Sequence, residues 1–374
     1  ALANKLSGWL PARLAVATII ANALFGFVTG VSIAAAAAFS RIAYPEMVRY
    51  GYDRSLALGA ISGSACLGML IPPSVLMIVW AVLTDLSIGS LFLAGVIPGL
   101  MTAALMCAWV VLYALLWPEA AGARGRAPAA ASLSAAATAT APPPAVGGPD
   151  DRTLGQLLAS TGLVVAMVVA VLGSIWLGFA TPTEGAAIGA VAAMVLALIR
   201  GITPREIWQV ILDVGRTAGP LLLLLICAQL YSRVLSMTGF TQAAREFLLA
   251  TGLGPWGILV VMVGIWFLLG CLIDSISIIL LTVPIFAPIA AHLGFDPVAF
   301  AIMGIMAIET GMLTPPFGIL VFTVKAAVPD KTVTLADIFR GSIPYWAVLL
   351  IMVAAIAVFP KLATFLPELS HGPG

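Results

Sequence analysis

The sequence predicts an all-α polytopic membrane protein built from two related repeats, each with a re-entrant hairpin and a discontinuous helix. Three observations carry that prediction. Of the 374 residues, 62% are hydrophobic and only 9% are charged, against roughly 25% charged in an average soluble domain; the mean hydropathy is +1.13. Apolar runs long enough to cross a bilayer recur along the chain. The two ends of the chain also carry the same Gly and Pro landmarks at one constant spacing. A soluble enzyme or a disordered chain is excluded by composition, because too little charge is present to cover a water-facing surface. The net charge of +1 offers no basic excess for a nucleic-acid partner.

The elements follow in chain order. Residues 14–39 are apolar but are interrupted by Thr29-Gly30-Val31-Ser32. Small polar residues in mid-run predict the tip of a hairpin over about 14–45. Asp53 reads as an N-cap. Segments 55–71 and 74–84 are split by Pro72-Pro73, which predicts a broken helix over 55–84. Residues 88–117 are long enough to span. Residues 118–152 are rich in Ala, Pro, Gly and Thr, with Arg124, Arg126 and Arg152, and read as a flexible linker outside the membrane.

That linker separates a first membrane repeat, 1–117, from a second, 153–374. In the second half, 154–179, 183–199, 217–237, 256–273 and 342–359 are the long runs. Pro182-Thr183-Glu184 reads as a helix start. The second hairpin is expected at about 273–291. Asp296 caps a second broken helix over 298–328. The start of the chain lacks the charged region and cleavage pattern of a signal peptide. Residues 153–243 have no counterpart before residue 1, so further upstream helices are expected if the repeats are complete.

The repeat has an offset of 243 residues. Ser32 falls on Ser275, Pro45 on Pro288, and Gly51-Tyr52-Asp53 on Gly294-Phe295-Asp296. Gly68-Met69-Leu70-Ile71-Pro72-Pro73 falls on Gly311-Met312-Leu313-Thr314-Pro315-Pro316. After a three-residue insertion, Gly95 and Pro98 fall on Gly341 and Pro344. Repeats with broken helices in matching places mark secondary transporters. Inversion of one repeat relative to the other is the expectation.

The chemistry is expected at the breaks. Proline lacks an N–H and clashes with the carbonyl four residues back. Pro72 and Pro73 therefore free the carbonyls of Gly68 and Met69, and Pro315 and Pro316 those of Gly311 and Met312. Freed carbonyls suit a hard cation such as Na⁺. Ser62 and Ser64, with Thr310 and Thr314, could complete its shell. At the hairpin tips, Thr29, Gly30 and Ser32, with Ser275 and Ser277, are candidates to hold an anion at helix N-termini. Asp274 and Glu309 lie in apolar sequence, where an ionisable residue is a functional candidate by default; Na⁺ coordination and proton coupling are the candidate roles. Their repeat counterparts are Val31 and Cys66. The four cysteines read as small buried hydrophobes, and the two histidines are too few and too far apart for a histidine metal site. No P-loop or hydrolase motif is present, so no enzyme activity and no cofactor are expected.

On these residues the sequence resembles the large permease subunit of tripartite ATP-independent periplasmic (TRAP) transporters. The matching stretches are IAYPEMVRYGYDRSLALGAISGSACLGMLIPPS, SIGSLFLAGVIPG, ATPTEGAA, IDSISIILLTVPIFAPIAAHLGFDP and ETGMLTPPFG. The resemblance covers nearly the whole chain outside 118–152. It implies a multi-pass protein of the bacterial inner membrane with a scaffold and a mobile transport domain. It also implies elevator-type, Na⁺-driven uptake of organic acids, with a C4-dicarboxylate as the default substrate. Two partners are implied: a small membrane subunit and a periplasmic substrate-binding protein. The first tip departs from the family by reading TGVS where a Ser-rich tip is common. The alternative is a stand-alone Na⁺/dicarboxylate or inorganic-anion symporter that needs no binding protein.

Overall fold

A computed structural model of the protein describes residues 12–122, 154–199 and 201–371. Among them the chain is helical, with one isolated bridge between Tyr52 and Ala121. The expected linker falls mostly outside the described residues, at 123–152. Its first residues are ordered: the Asp53 N–H donates to the Ala120 carbonyl at 2.8 Å.

Helix α1, Arg13–Thr29, stops at Gly30, whose φ of +60° suits a residue without Cβ. The chain turns through Val31 and returns as α2, Ser32–Arg49. The two helices cover the residues, about 14–45, over which a hairpin is expected. Asp53 caps α3, Arg54–Ala65, by accepting from the Ser55 and Leu56 amides. A short turn, α4, Leu67–Leu70, precedes the break at Pro72-Pro73, a cis bond. Ser74 caps α5, Val75–Thr84, and Ser87 caps the long α6, Ile88–Leu116.

The second half begins with α7, Leu154–Trp176, and α8, Pro182–Ile199. Glu184 accepts from the N–H and hydroxyl of Thr181, both at 2.8 Å, so this helix starts where Pro182-Thr183-Glu184 marks it. Helix α9, Pro204–Met237, starts well before the apolar run at 217, because Thr203 and Glu206 form a capping box. Then come α10, Phe240–Ala250, and α11, Pro255–Gly270, bent by 119° from each other. Helix α12 is Ser275–His292, and α13, Pro297–Gly311, is capped by Asp296. After a second cis bond at Pro315-Pro316 come α14, Ile319–Ala327, α15, Leu335–Val358, and α16, Lys361–His371.

One boundary is corrected. The second hairpin is the pair α11–α12, over 255–292, not 273–291. Pro255 at the first helical turn starts it, and its tip is Cys271–Asp274.

The core is built where the broken helices cross their hairpins. Trp80 of α5, Trp266 of α11, Phe286 of α12 and Phe300 of α13 form one aromatic cluster, with ring centroids 5.1–6.1 Å apart. Three crossings bring backbone onto backbone through glycine. A Cβ on Gly26 would stand 2.7 Å from Cα of Gly68, and one on Gly270 would stand 2.9 Å from Cα of Gly311. A Cβ on Gly341 of α15 would collide with the Ser55 carbonyl of α3. Membrane helices use small residues in this way because van der Waals contact, not the hydrophobic effect, holds them together in lipid.

Around this core, six helices among the described residues are long and apolar enough to cross a membrane. Helix α9 exposes Leu222, Leu223, Ile226 and Leu230, each at about 60%. Such a face is costly in water but suits hydrocarbon.

Asp330, in the loop between α14 and α15, ties the two halves together. It accepts from the Tyr44 hydroxyl at 3.2 Å and pairs with Arg54 at 3.6 Å. Hydrogen bonding from Thr332, with help from the nearby Arg54 charge, holds its carboxyl below the ordinary range. A depressed folded pKa gives stability that is present above the unfolded value, about 3.9, and is lost as pH falls through the folded value. Asp330→Asn should therefore lower thermal stability at pH 7 and at pH 5. The gap from the unaltered protein should close in melts taken below about pH 4.

Candidate functional site

The site forms where the two tips meet the second broken helix. Ser32 is the first residue of α2 and Ser275 the first residue of α12. Both are buried, and both point at Glu309 on α13. The Ser32 hydroxyl donates to Oε2 at 2.7 Å, and the Ser275 hydroxyl reaches Oε1 at 3.0 Å. Glu309 has no solvent exposure. The N-termini of two helices, one from each half of the chain, thus converge on one carboxylate. Helix N-termini carry partial positive charge and unpaired amides, so they favour an anion there.

The remaining neighbours are soft or neutral. Ser275 Oγ also lies 2.6 Å from Met312 Sδ. The Cys66 thiol donates to the backbone carbonyl of Glu309 at 3.6 Å. Cys66 and Glu309 stand 243 residues apart, the repeat offset, so these matched positions touch each other. Composition alone reads Cys66 as a buried hydrophobe, although the offset already contains the pairing.

Gly30 seats the first tip on the first break. Its carbonyl accepts from the Val75 N–H at 3.5 Å, and a Cβ there would stand 2.8 Å from the Pro73 carbonyl. Gly68 lies beneath Val31 and Ser32. The second tip is tied similarly, with the Gly318 N–H donating to the Cys271 carbonyl at 3.3 Å. Pro72 is buried, whereas Pro315 and Pro316 are exposed.

Several break carbonyls find partners inside the chain. Met69 O accepts from the Ser74 hydroxyl at 2.6 Å, Gly311 O from the Thr314 hydroxyl at 2.8 Å, and Met312 O from the Leu320 N–H at 3.2 Å. The expectation that the prolines leave Met69, Gly311 and Met312 free is therefore corrected. A carbonyl has two lone pairs; Gly311 O uses both, since it also accepts from the Thr314 N–H at 3.0 Å, whereas Met69 O and Met312 O each have one such partner among the described residues.

Other candidates stand apart. Asp274 is exposed, not buried. It caps α12, with its oxygens taken by the N–H of Ser277 at 3.0 Å and the hydroxyl of Ser277 at 2.7 Å. Ser62 faces α15, where its hydroxyl meets that of Ser342 at 2.8 Å. Ser64 faces α1 and accepts from Asn22 at 2.6 Å. Thr29 and Thr310 return their hydroxyls to their own helices, to Phe25 O at 3.0 Å and Met306 O at 2.6 Å. Nothing in the sequence singles out Asn22, Ser74 or Ser342, because single polar residues leave no mark on an apolar run.

Residues 1–362 match the family described as the tripartite ATP-independent periplasmic transporter, DctM component. Among curated proteins, the chain is 32% identical over 373 residues to the C4-dicarboxylate TRAP transporter large permease protein DctM of Pseudomonas aeruginosa, covering 98% of this chain and 80% of that protein. It is 31% identical over 369 residues to the ectoine/5-hydroxyectoine large permease protein UehC of Ruegeria pomeroyi, covering 97% and 79%. The sialic acid large permease protein SiaM of Vibrio cholerae is 28% identical over 376 residues, covering 100% and 81%.

Proposed function

This chain belongs to the DctM component family of the tripartite ATP-independent periplasmic transporters, and from that membership we propose that it carries an organic carboxylate inward on a sodium gradient. Members of the family are transporter subunits of the inner membrane, not enzymes. They work with a small membrane subunit and a periplasmic substrate-binding protein, so the stand-alone symporter is not favoured.

The observation that carries the proposal is the pair of tip serines on the Glu309 carboxylate. A substrate carboxylate brought to the same two helix N-termini would meet the charge of Glu309. Two like charges about 4 Å apart repel by roughly 4 kcal/mol at an effective dielectric constant of 20. A bound Na⁺ beside Glu309 removes that repulsion. Na⁺ then favours substrate, and by linkage substrate favours Na⁺ to the same degree. The Gly68, Met69 and Met312 carbonyls, with Thr314, would offer further oxygens close to the tips. An elevator movement of the hairpins and broken helices, against α7–α9 as scaffold, follows the same reading.

The two halves are proposed to be inverted repeats. Chain direction supports this. With α6 to α9 as successive crossings, the first hairpin enters from the face bearing the α3 start and the second from the opposite face. The first face carries Arg13, Arg41, Arg49, Arg54, Arg205, Arg216, Lys325, Lys331 and Arg340 among the described residues; the other carries Arg233, Arg245 and Lys361. Positive charge marks cytoplasmic loops, so the first face is assigned to the cytoplasm.

The relatives' names span C4-dicarboxylates, ectoines and sialic acid; a C4-dicarboxylate is the first substrate to try. The test is succinate uptake into proteoliposomes that hold the full-length protein and its small subunit. Uptake should need both an inward Na⁺ gradient and the loaded binding protein. Uptake without the binding protein would replace this reading with the stand-alone symporter.

A further inference from the structure

An apolar slot lies between α7 and the first break. An apolar cavity of about 270 Å³ is bounded by Leu24 and Phe27 of α1, Ile71 of the break, Leu100 of α6 and Leu172 of α7. It ends at Trp176. A second, more polar pocket of about 280 Å³ begins at the same Trp176 and continues among Ser87, Gly178 and Ser370. The Trp176 indole nitrogen is buried and has no hydrogen-bond partner among the described residues. An indole N–H can only donate, so it calls for an acceptor at the junction of the two pockets.

The dimensions fit one leaflet. From Trp176 back to Val168 on α7 is about 12 Å of helix rise, and from Gly89 to Leu100 on α6 about 16 Å. Half of the hydrocarbon core of a bilayer is about 15 Å. The polar pocket sits where α7 ends, and the apolar cavity runs from it along α7. Gly173 lines the cavity, and a Cβ there would meet no atom within 4 Å. A mid-helix glycine costs about 1 kcal/mol relative to alanine, and here no atom of the described residues requires one. Phe27 lies within one turn of the first tip, so an occupant would touch the seam between hairpin and α7.

We infer that a bilayer phospholipid occupies this slot, with one acyl chain in the cavity and ester or phosphate oxygens on the Trp176 N–H. The lipid is then a resident component of the seam along which the first hairpin would slide.

The test is native mass spectrometry of the full-length protein with its small subunit, taken from lipid nanodiscs. The unaltered complex should retain phospholipid. Gly173→Leu fills the cavity from an open position and raises helix propensity, so it should fold; it should cut retained lipid by about tenfold. Trp176→Phe keeps the ring and loses the donor, and should cut retention by about fivefold. No retained lipid in the unaltered complex, or equal retention in Gly173→Leu, would overturn the inference. A benzophenone amino acid at position 173 gives the second reading. A lipid adduct supports the inference, and an adduct to the small subunit or to another part of the chain overturns it. Neither readout depends on transport, so failure here leaves the transport proposal standing.

Discussion

Glu309→Ala should reduce sodium-driven uptake by more than about a hundredfold, while the protein still inserts and purifies. The carboxylate receives the Ser32 and Ser275 hydroxyls in a site closed to solvent. The attraction of that carboxylate for a Na⁺ about 4 Å away is roughly 4 kcal/mol at an effective dielectric constant of 20, and each 1.4 kcal/mol is a factor of ten in affinity, so its loss exceeds a factor of 100. Insertion should survive, because replacing a buried ionisable group with alanine makes α13 more apolar. Ser275→Ala should lose a smaller share, since Ser32 still holds the carboxylate. Proteoliposome uptake per inserted molecule is the measurement, and normal uptake in both variants would remove Glu309 and Ser275 from the site.

Gly341→Ala should destabilise the fold strongly for a change of one methyl group. Its added Cβ would collide with the Ser55 carbonyl and stand 2.9 Å from the Gly59 N. Both obstacles are backbone of α3, which cannot rotate aside as a side chain can. Overpacking of a close contact costs typically about 1–3 kcal/mol, occasionally more. The crossing matters because α3 leads to the first break, so its displacement shifts Gly68 under the first tip. Gly264→Ala is the control: a Cβ there meets nothing within 4 Å among the described residues, so helix propensity alone predicts no loss. Thermal melts of the purified complex should separate the two variants by several degrees. Equal melts would show that α15 can move away from α3 at little cost.

Much of this arrangement was legible in the residues, for definable reasons. The first turn is marked because Thr29–Ser32 interrupts a run that a simple spanning helix would keep apolar; Asp274–Ser277 marks instead the cap and first turn of α12, just past the Cys271–Asp274 turn. The breaks showed because two prolines in succession cannot continue a helix. Glu309 showed because burial of an ionisable group needs a cause.

Asp274 shared that apolar context and had a different fate. Hydropathy reports neighbours along the chain, and an N-cap points out of that line to its own helix. Ser62 and Ser64 show a related limit. Two positions apart on a helix, they face roughly opposite sides, so one meets Ser342 and the other Asn22. Which helix stands on each side is a tertiary fact. The start of the second hairpin is hidden for another reason. The run 256–273 is nearly long enough to span, and nothing in its composition shows that it turns back at the tip.

The most direct test of the central claim is the Na⁺ concentration for half-maximal uptake, measured for the unaltered protein and for Glu309→Gln. The glutamine keeps the shape of the side chain and removes its charge. If Glu309 is the charge that Na⁺ must neutralise before a carboxylate can bind, the variant should lose the coupling: nothing is left for Na⁺ to neutralise, so its remaining uptake should no longer depend on Na⁺ over the range that drives the unaltered protein. An unchanged Na⁺ requirement at an unchanged maximal rate would contradict the account, and would move the coupling site away from the meeting point of the two tips.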